Sequence, residues 1–299
     1  MQTLESIKNK LESAEDLFSI VKTMKAMAAV SIRQYDEAVE SLKDYNRTVE
    51  MGLQILLRNR MPSLVQQPQK PLLGAVVFGS EQGMCGQFND RIAAFAIETL
   101  KQSEARTENV SILTLGPRVI SALELSGLPV EENLSMPGSL GEITVNVQEL
   151  VLKIEEWRVQ REIEEIVLFY NKKQSGASYQ PHSFRLMPLD FQWLQKLQTK
   201  EWPTRVLPQF TMNFENLFAA LIRQYFFVSF YQAFTESLAS ENASRLAAMQ
   251  AAEKNIEQRL NQLNAQYNQQ RQNAITAELL DIVSGFEALE GESKKDFAE

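Results

Sequence analysis

One cysteine and one histidine occur among 299 residues, and that scarcity removes several kinds of chemistry at the outset. Cys85 alone closes no internal disulfide, so the chain is expected in a reducing, intracellular setting with a packed core as its main support. A thiolate nucleophile at Cys85 would need a base, and the single imidazole, His182, lies about a hundred residues further on in a different loop. No His, Cys and carboxylate grouping has metal-ligand spacing. The sequence therefore leads us to expect no catalytic, cofactor-binding or metal residues and no cofactor.

Positive charge is also in short supply. With 30 Lys and Arg against 38 Asp and Glu, the formal charge is -8 and the isoelectric point is near 5.1. A sequence-independent grip on nucleic acid needs clustered cations that displace counterions, and this composition excludes it. Long apolar runs are missing too. The most membrane-like stretch, "LFAALIRQYFFVSFYQAF", is interrupted by Arg223, Gln224 and Gln232, whereas a spanning helix wants about 20 mostly apolar residues. The opening "MQTLESIKNKL" leads us to expect no signal or transit segment.

The absence that organises the molecule is that of helix breakers at both ends. Neither Pro nor Gly occurs before Gly52, nor anywhere in 209–284. Counting from Leu4 in alternating steps of three and four reaches Ile7, Leu11, Ala14, Phe18 and Val21, and continues through Ala28 and Tyr35 to Val49, Leu53 and Leu56. Only Lys25 and Asn46 break that seam. The spacing predicts one helix of about 50 residues, ~80 Å long, over 1–58. A sustained seven-residue repeat implies a left-handed supercoil with another helix. The second helix, over 209–289, carries a looser seam from Phe214 and Leu217 to Leu263, Tyr267 and Ala277, with Asn242, Arg245 and Gln270 falling on it. Over its breaker-free part, 209–284, it would reach ~110 Å and outrun the first. An antiparallel coiled coil follows, with part of the longer helix left for other subunits. Beyond Leu289 the apolar period is lost, so 290–299 should fray.

Between the helices, 59–71 reads as a linker. From 72 to 190 strands alternate with helices: strands at "LLGAVVFG", "VSILTLG" and "EEIVLFYN", helices near 87–104, 117–126 and 143–161, and a long loop before the last helix. The expectation is a small parallel α/β sheet of Rossmann-like kind, closed by "SFRLMPLD" and followed by a return loop over 191–208. The fold class is thus mixed α+β, a long antiparallel coiled coil with an inserted α/β domain.

The turn "GSEQGMCGQFN" after the first strand invites a phosphate reading. A P-loop places Lys and Ser or Thr directly after its last Gly, but Gln87 and Phe88 follow Gly86. Gly79, Gly83 and Gly86 also miss the dinucleotide fingerprint, and no lysine in the turn replaces the lost charge. Nucleotide binding is not expected, and Cys85 reads first as a small residue packed in a tight turn.

Three blocks in order along the chain, "SAEDLFSIVKTMKAMAAVSIR", "GSEQGMCGQFN" and "SENASRLAAMQAAEKNIEQRLNQLNAQYNQQRQNAITAELLDIVSGFEAL", resemble the gamma subunit of F-type ATP synthases. The similarity covers essentially the whole chain and weakens across about 127–208. It implies a non-catalytic rotor shaft inside a ring of alpha and beta subunits, with its foot on the epsilon subunit and the membrane c-ring. Such a shaft couples proton or sodium translocation to ATP synthesis or hydrolysis at beta, peripherally on the cytoplasmic face of a bacterial inner membrane. "MQTLE", "SAEDL" and "AAVSIRQY" resemble a divergent bacterial branch. The resemblance places Lys22, Met24 and Lys25 opposite the lever segment of beta, Cys85 in a turn that the same lever approaches, and Arg271, Gln272 and Thr276 where loops of beta catch the shaft. The turn departs from the family pattern in lacking Asp-Arg after its Ser and a second Gly after "CG". No inserted cysteine pair is present, so a thiol switch is not implied.

Residues 255–277 hold eleven Asn or Gln side chains and only Glu257, Arg259 and Arg271 as charges. This composition is compatible with plain solvated low complexity or with hydrogen bonding to a surrounding sleeve. Two other classes stay open on sequence alone. A small α/β enzyme with helical arms would need a pocket of converging polar groups. A non-rotating coiled-coil scaffold would bind its partners in fixed geometry.

Overall fold

The computed structural model describes residues 3–59, 72–102, 109–174 and 178–296, the last with side chains to Gly285. Its contacts divide the chain into two units, one of Ala26–Ala248 and one of Met1–Lys25 with Met249–Glu299. Two helices enter both: α1, Leu4–Asn59, and α6, Phe214–Asp296.

The larger unit is built on a five-stranded sheet of β1 (Leu72–Phe78), β2 (Val110–Leu115), β3 (Val130–Leu134), β4 (Ile163–Lys173) and β5 (Tyr179–Met187), in the order β3-β2-β1-β4-β5. The first four strands in that order run parallel, and β5 pairs antiparallel with β4. Side chains alternate across a strand, so β1 feeds two cores. Leu73, Ala75 and Val77 face α2 (Phe88–Gln102) and α3 (Ile120–Leu125), meeting Ile92, Ala96 and Leu123. Val76 and Phe78 face the other way, onto Ile154 and Trp157 of α4 (Ile143–Gln160) and onto Tyr35, Phe230 and Phe234 of the two long helices. Phe78 sits edge-on to Phe234, with ring centroids 5.0 Å apart. The sheet is thus closed on one side by short helices and on the other by α4, α1 and α6 together.

Several elements differ from the sequence expectation, beginning with the antiparallel edge strand β5 where a parallel sheet was expected. The long loop before α4 contains β3, a short edge strand whose "VEENL" is half exposed and so shows little apolar signal. The return segment contains α5, Phe191–Thr199, capped where the Asp190 carboxylate accepts from the Gln192 amide at 2.8 Å. Its Leu194 and Leu197 pack with Val49, Leu53 and Leu57 of α1 and with Val228 of α6. α6 begins at Phe214 rather than 209, because the Asn213 side chain accepts from the Glu215 amide and starts the helix there. It runs to Asp296, past the point where the apolar period ends: the added residues are mostly Glu, Lys and Asp, of which Glu and Lys are good helix formers. Apart from Asn59, the expected linker 59–71 lies outside the described residues, as do 297–299.

The seam of α1 behaves as its spacing predicts. In the larger unit Ala28, Tyr35, Val49, Leu53 and Leu56 are buried and Ile32, Val39, Leu42 and Asn46 half-buried. In the smaller unit Ile7 and Val21 are buried, Leu11, Ala14, Phe18 and Lys25 half-buried, and Leu4 is exposed.

Candidate functional site

In open α/β sheets ligands bind beyond the carboxyl ends of the strands, where successive connections leave in opposite directions. Here β1 is flanked by β2 on one side and β4 on the other, so that place lies between β1 and β4. It is taken by α6. The Ser240 hydroxyl donates to the Asn171 carbonyl of β4 at 3.0 Å, and the Ser244 hydroxyl donates to the Cys85 carbonyl in the turn after β1 at 2.5 Å. Every residue from Ala233 to Ser244 is buried, which few helices achieve on all faces. Small side chains permit the approach: a Cβ on Gly86 would stand 3.3 Å from Ser244 Oγ, and φ at Gly86 is +58°.

The glycine-rich turn is therefore a docking piece for the helix. Asn89 holds it from within, accepting from the Ser80 amide at 3.0 Å and donating to the Ser80 hydroxyl at 2.9 Å. Gly116, at φ +84°, lets β2 end against Ser80, whose carbonyl oxygen would lie 2.6 Å from any added Cβ. Outside, Arg245 of α6 reaches the Gln82 and Gly83 carbonyls, each at 3.4 Å. Its guanidinium also pairs with Glu241 at 2.6 Å, both side chains nearly buried at 11% and 7% exposure. Burial raises the Glu241 carboxyl above the usual range, and Arg245 opposes that rise. The two polar interruptions of the second seam, Asn242 and Arg245, thus mark the place where the turn seats. Sequence reasoning registered them as breaks and missed their partners, together with Ser240, Glu241 and Ser244. The small residues of "SENAS" within a buried stretch were the available signal.

Cys85 is 2% exposed and clusters with Phe88 and Tyr179. Asn89 donates to its sulfur at 3.4 Å, and burial pushes the thiol pKa up. His182 does not meet it. The imidazole stands edge-on to the Tyr170 ring, near Lys172 and Glu236, and burial lowers its pKa. Cys85 thus has packing partners in place of a base. Among the described residues no cluster of three His, Cys, Asp or Glu could hold a metal ion.

The other sequence-derived contact residues lie in the smaller unit. Lys22 is exposed, and Met24 and Lys25 are half-buried on α1. Lys25 pairs with Glu253 of α6 at 2.5 Å, which accounts for a lysine on the seam. Arg271, Gln272 and Thr276 share one exposed stretch of α6, where the Thr276 hydroxyl donates back to the Gln272 carbonyl at 2.9 Å. On α6 the apolar line Met249, Ala252, Ile256, Leu260, Leu263 and Tyr267 is covered, and from Asn268 to Gly285 every residue is exposed. That stretch includes Ile275, Leu279, Leu280, Ile282 and Val283, each more than half exposed or at half.

The family model described as ATP synthase matches residues 3–289. The chain belongs to the ATP synthase gamma-chain family. The gamma chain of Rhizobium johnstonii is 30% identical over 97% of this chain and all of its own length. That of Fuscovulum blasticum is 29% identical with the same coverage. In solved structures, the fold is similar to a chain in the rotor of the Euglena gracilis mitochondrial ATP synthase, with TM-score 0.63, 16% identity and coverage of 91% of this chain and 98% of that one. A chain in the central stalk and c-ring structure of the Tetrahymena thermophila mitochondrial enzyme gives TM-score 0.54 and 20% identity, covering 78% of this gamma chain and 99% of that chain. No described helix of this gamma chain is long and apolar enough to cross a membrane.

Proposed function

We propose that this gamma chain is the central-stalk rotor of an F-type ATP synthase or ATPase, carrying torque between a membrane ion-translocating ring and the nucleotide sites of beta. The observation that carries the reading is the contrast along α6, which is buried on every face at 233–244 and exposed on every face at 268–285. A helix end so uncovered needs a surrounding partner, and the family supplies a ring of alpha and beta subunits. The covered seams of α1 and α6 support an antiparallel coiled coil as the shaft. Its foot would rest on epsilon and the c-ring, at the cytoplasmic face of a bacterial inner membrane, with either proton or sodium as coupling ion.

In this reading the chain performs no bond chemistry. Its asymmetric surface favours a different state of each beta subunit in turn, which is a differential-contact mechanism. Lys22, Met24 and the Cys85 turn would face the lever of beta, with Lys25 held partly inward by Glu253. Arg271, Gln272 and Thr276 would meet its catch loops.

The test is reconstitution with alpha and beta from the same organism, using a Cys85→Ser background. A cysteine placed midway along the shaft is crosslinked to beta, and ATPase turnover is read before and after reduction. A rotor loses turnover on crosslinking and regains it on reduction. Full turnover with the crosslink in place would instead support a non-rotating scaffold.

A further inference from the structure

Helix α6 is enclosed from 233 to 244, and its two sides there are built differently. At about 100° per residue, Phe234 and Leu238 project to one side, where they join Phe78 and Phe230 in the apolar core. Over roughly 160° of the circumference opposite them, the residues from Gln232 to Ser244 are all Ala or Ser, apart from Gln232 itself and Glu236. Two of those serines, Ser240 and Ser244, meet β4 and the glycine-rich turn. Short side chains let the backbones approach closely, but they raise no ridges, and interdigitated ridges and grooves are what fix a packed helix at one setting.

Glu236 is the side chain that reaches out from this smooth side. Lys172 of β4 lies 3.3 Å from its Oε1, and Gln232, one turn earlier on α6, donates to the same oxygen at 2.9 Å. The carboxylate is nearly buried, with 8% exposure, whereas Lys172 is 47% exposed. Tyr170, also of β4, is buried beside it: burial raises its hydroxyl pKa first, and the Glu236 charge raises it further. An ion pair with one member so deeply buried gains little net stability, because desolvation offsets the attraction, and its best-attested use is to fix a register. Here the apolar side of α6 supplies the burial, and Glu236 supplies a fixed point on the side that has no ridges.

We propose that Glu236 is a positioning residue that keys α6 to the α/β domain, holding the helix at one rotational setting so that torque applied along α6 reaches the domain. Its carboxylate stands about 5–6 Å from the helix axis, half the diameter of a helix with its side chains. Turning α6 by about 60° within its seat would displace the carboxylate by roughly that distance, beyond reach of Lys172, and would leave a buried charge unpaired. The inference rests on the rotor reading, with the domain as the part of the rotor joined to epsilon and the c-ring. It adds a named residue through which helix and domain turn together.

The experiment uses the complete complex in sealed vesicles, with ATP hydrolysis and ATP-driven ion uptake read on the same sample, protons by a quenched dye and sodium by tracer. Glu236→Ala and Lys172→Ala are made singly and together. Each single variant should hydrolyse ATP within about twofold of the parent, while ions taken up per ATP fall by at least about twofold, and the double variant should be no worse than Glu236→Ala alone. Lys172 is half-exposed, so Lys172→Ala keeps the test open should Glu236→Ala fail to fold, and Glu236→Gln then takes its place in the pair. An unchanged number of ions per ATP in the single variants overturns the proposal. So does a parallel fall in hydrolysis and uptake accompanied by a lower urea midpoint, which is the mark of a structural role, and so do losses that simply multiply in the double variant. If the parent chain neither assembles nor drives uptake, the rotor reading fails and this inference goes with it.

Discussion

The Ser244 hydroxyl of α6 lies 2.5 Å from the Cys85 carbonyl and closes the mouth of the α/β sheet against the longest helix of the chain. Tyr179 stands 3.2 Å from the same hydroxyl, and Gly86 leaves the space it occupies. Ser244→Ala removes one donor from a buried carbonyl that also accepts from the Phe88 amide, and should cost about 1 kcal/mol in urea unfolding. Gly86→Ala meets both the positive φ and the hydroxyl, and should cost about 1–3 kcal/mol. If Gly86→Ala proves neutral, the turn is not seated as described.

The Glu241 and Arg245 pair makes a pH prediction with a definite sign. The folded carboxyl titrates above its unfolded value because burial outweighs the guanidinium. Its protonated form is therefore favoured by folding. That contribution is fully present below the unfolded carboxylate pKa and is lost as pH rises through the raised folded value. Glu241→Gln should remove this dependence, so the urea midpoint of the parent should fall relative to the variant as pH rises above the ordinary carboxylate range. Arg245→Ala leaves a buried charge alone and should cost about 3–5 kcal/mol near neutral pH. Parallel curves for parent and Glu241→Gln would contradict the assignment.

Why these residues escaped a reading of the sequence is a matter of where the information resides. The α1 seam was legible because one face of a helix repeats at fixed spacing, and Val21, Ala28, Tyr35 and Val49 are buried as that spacing requires. β1, β2 and β4 were legible as apolar runs. β3 and α5 were not, since an edge strand of "VEENL" and a helix carried by Leu194 and Leu197 have too few apolar residues to stand out. The seating of the turn on α6 joins Gln82 and Gly83 to Arg245, and no local period encodes a pairing between segments so far apart. The contact residues at Lys22, Met24, Arg271, Gln272 and Thr276 came from family resemblance, because each is an ordinary polar or half-buried helix position by itself.

Lys25 separates an internal role from an external one. Its bridge to Glu253 is partly exposed, with 32% and 22% exposure, and is worth no more than about 1 kcal/mol. Lys25→Glu should nevertheless destabilise the chain by setting two carboxylates together. The swap of Lys25→Glu with Glu253→Lys should restore the unfolding midpoint. If Lys25 also meets the lever of beta, the swapped chain will be as stable as the parent but slower in the reconstituted ATPase. Equal turnover would confine Lys25 to the bridge.

Deleting 268–299 tests the division of labour along α6. From Asn268 to Gly285 every residue is exposed, Ile275, Leu279 and Ile282 by half or more, so those residues bury little apolar surface within the chain and contribute little to its stability. The truncated chain should keep the parent's unfolding free energy within about 0.5 kcal/mol. It should also lose the stretch that holds Arg271, Gln272 and Thr276 together with the apolar Ile275, Leu279 and Ile282. If that stretch is the shaft's seat in a ring of partner subunits, assembly with alpha and beta should weaken sharply while folding is untouched. Loss of both would mean that the end of α6 supports the fold. Retention of both would place the partner contacts elsewhere on the shaft.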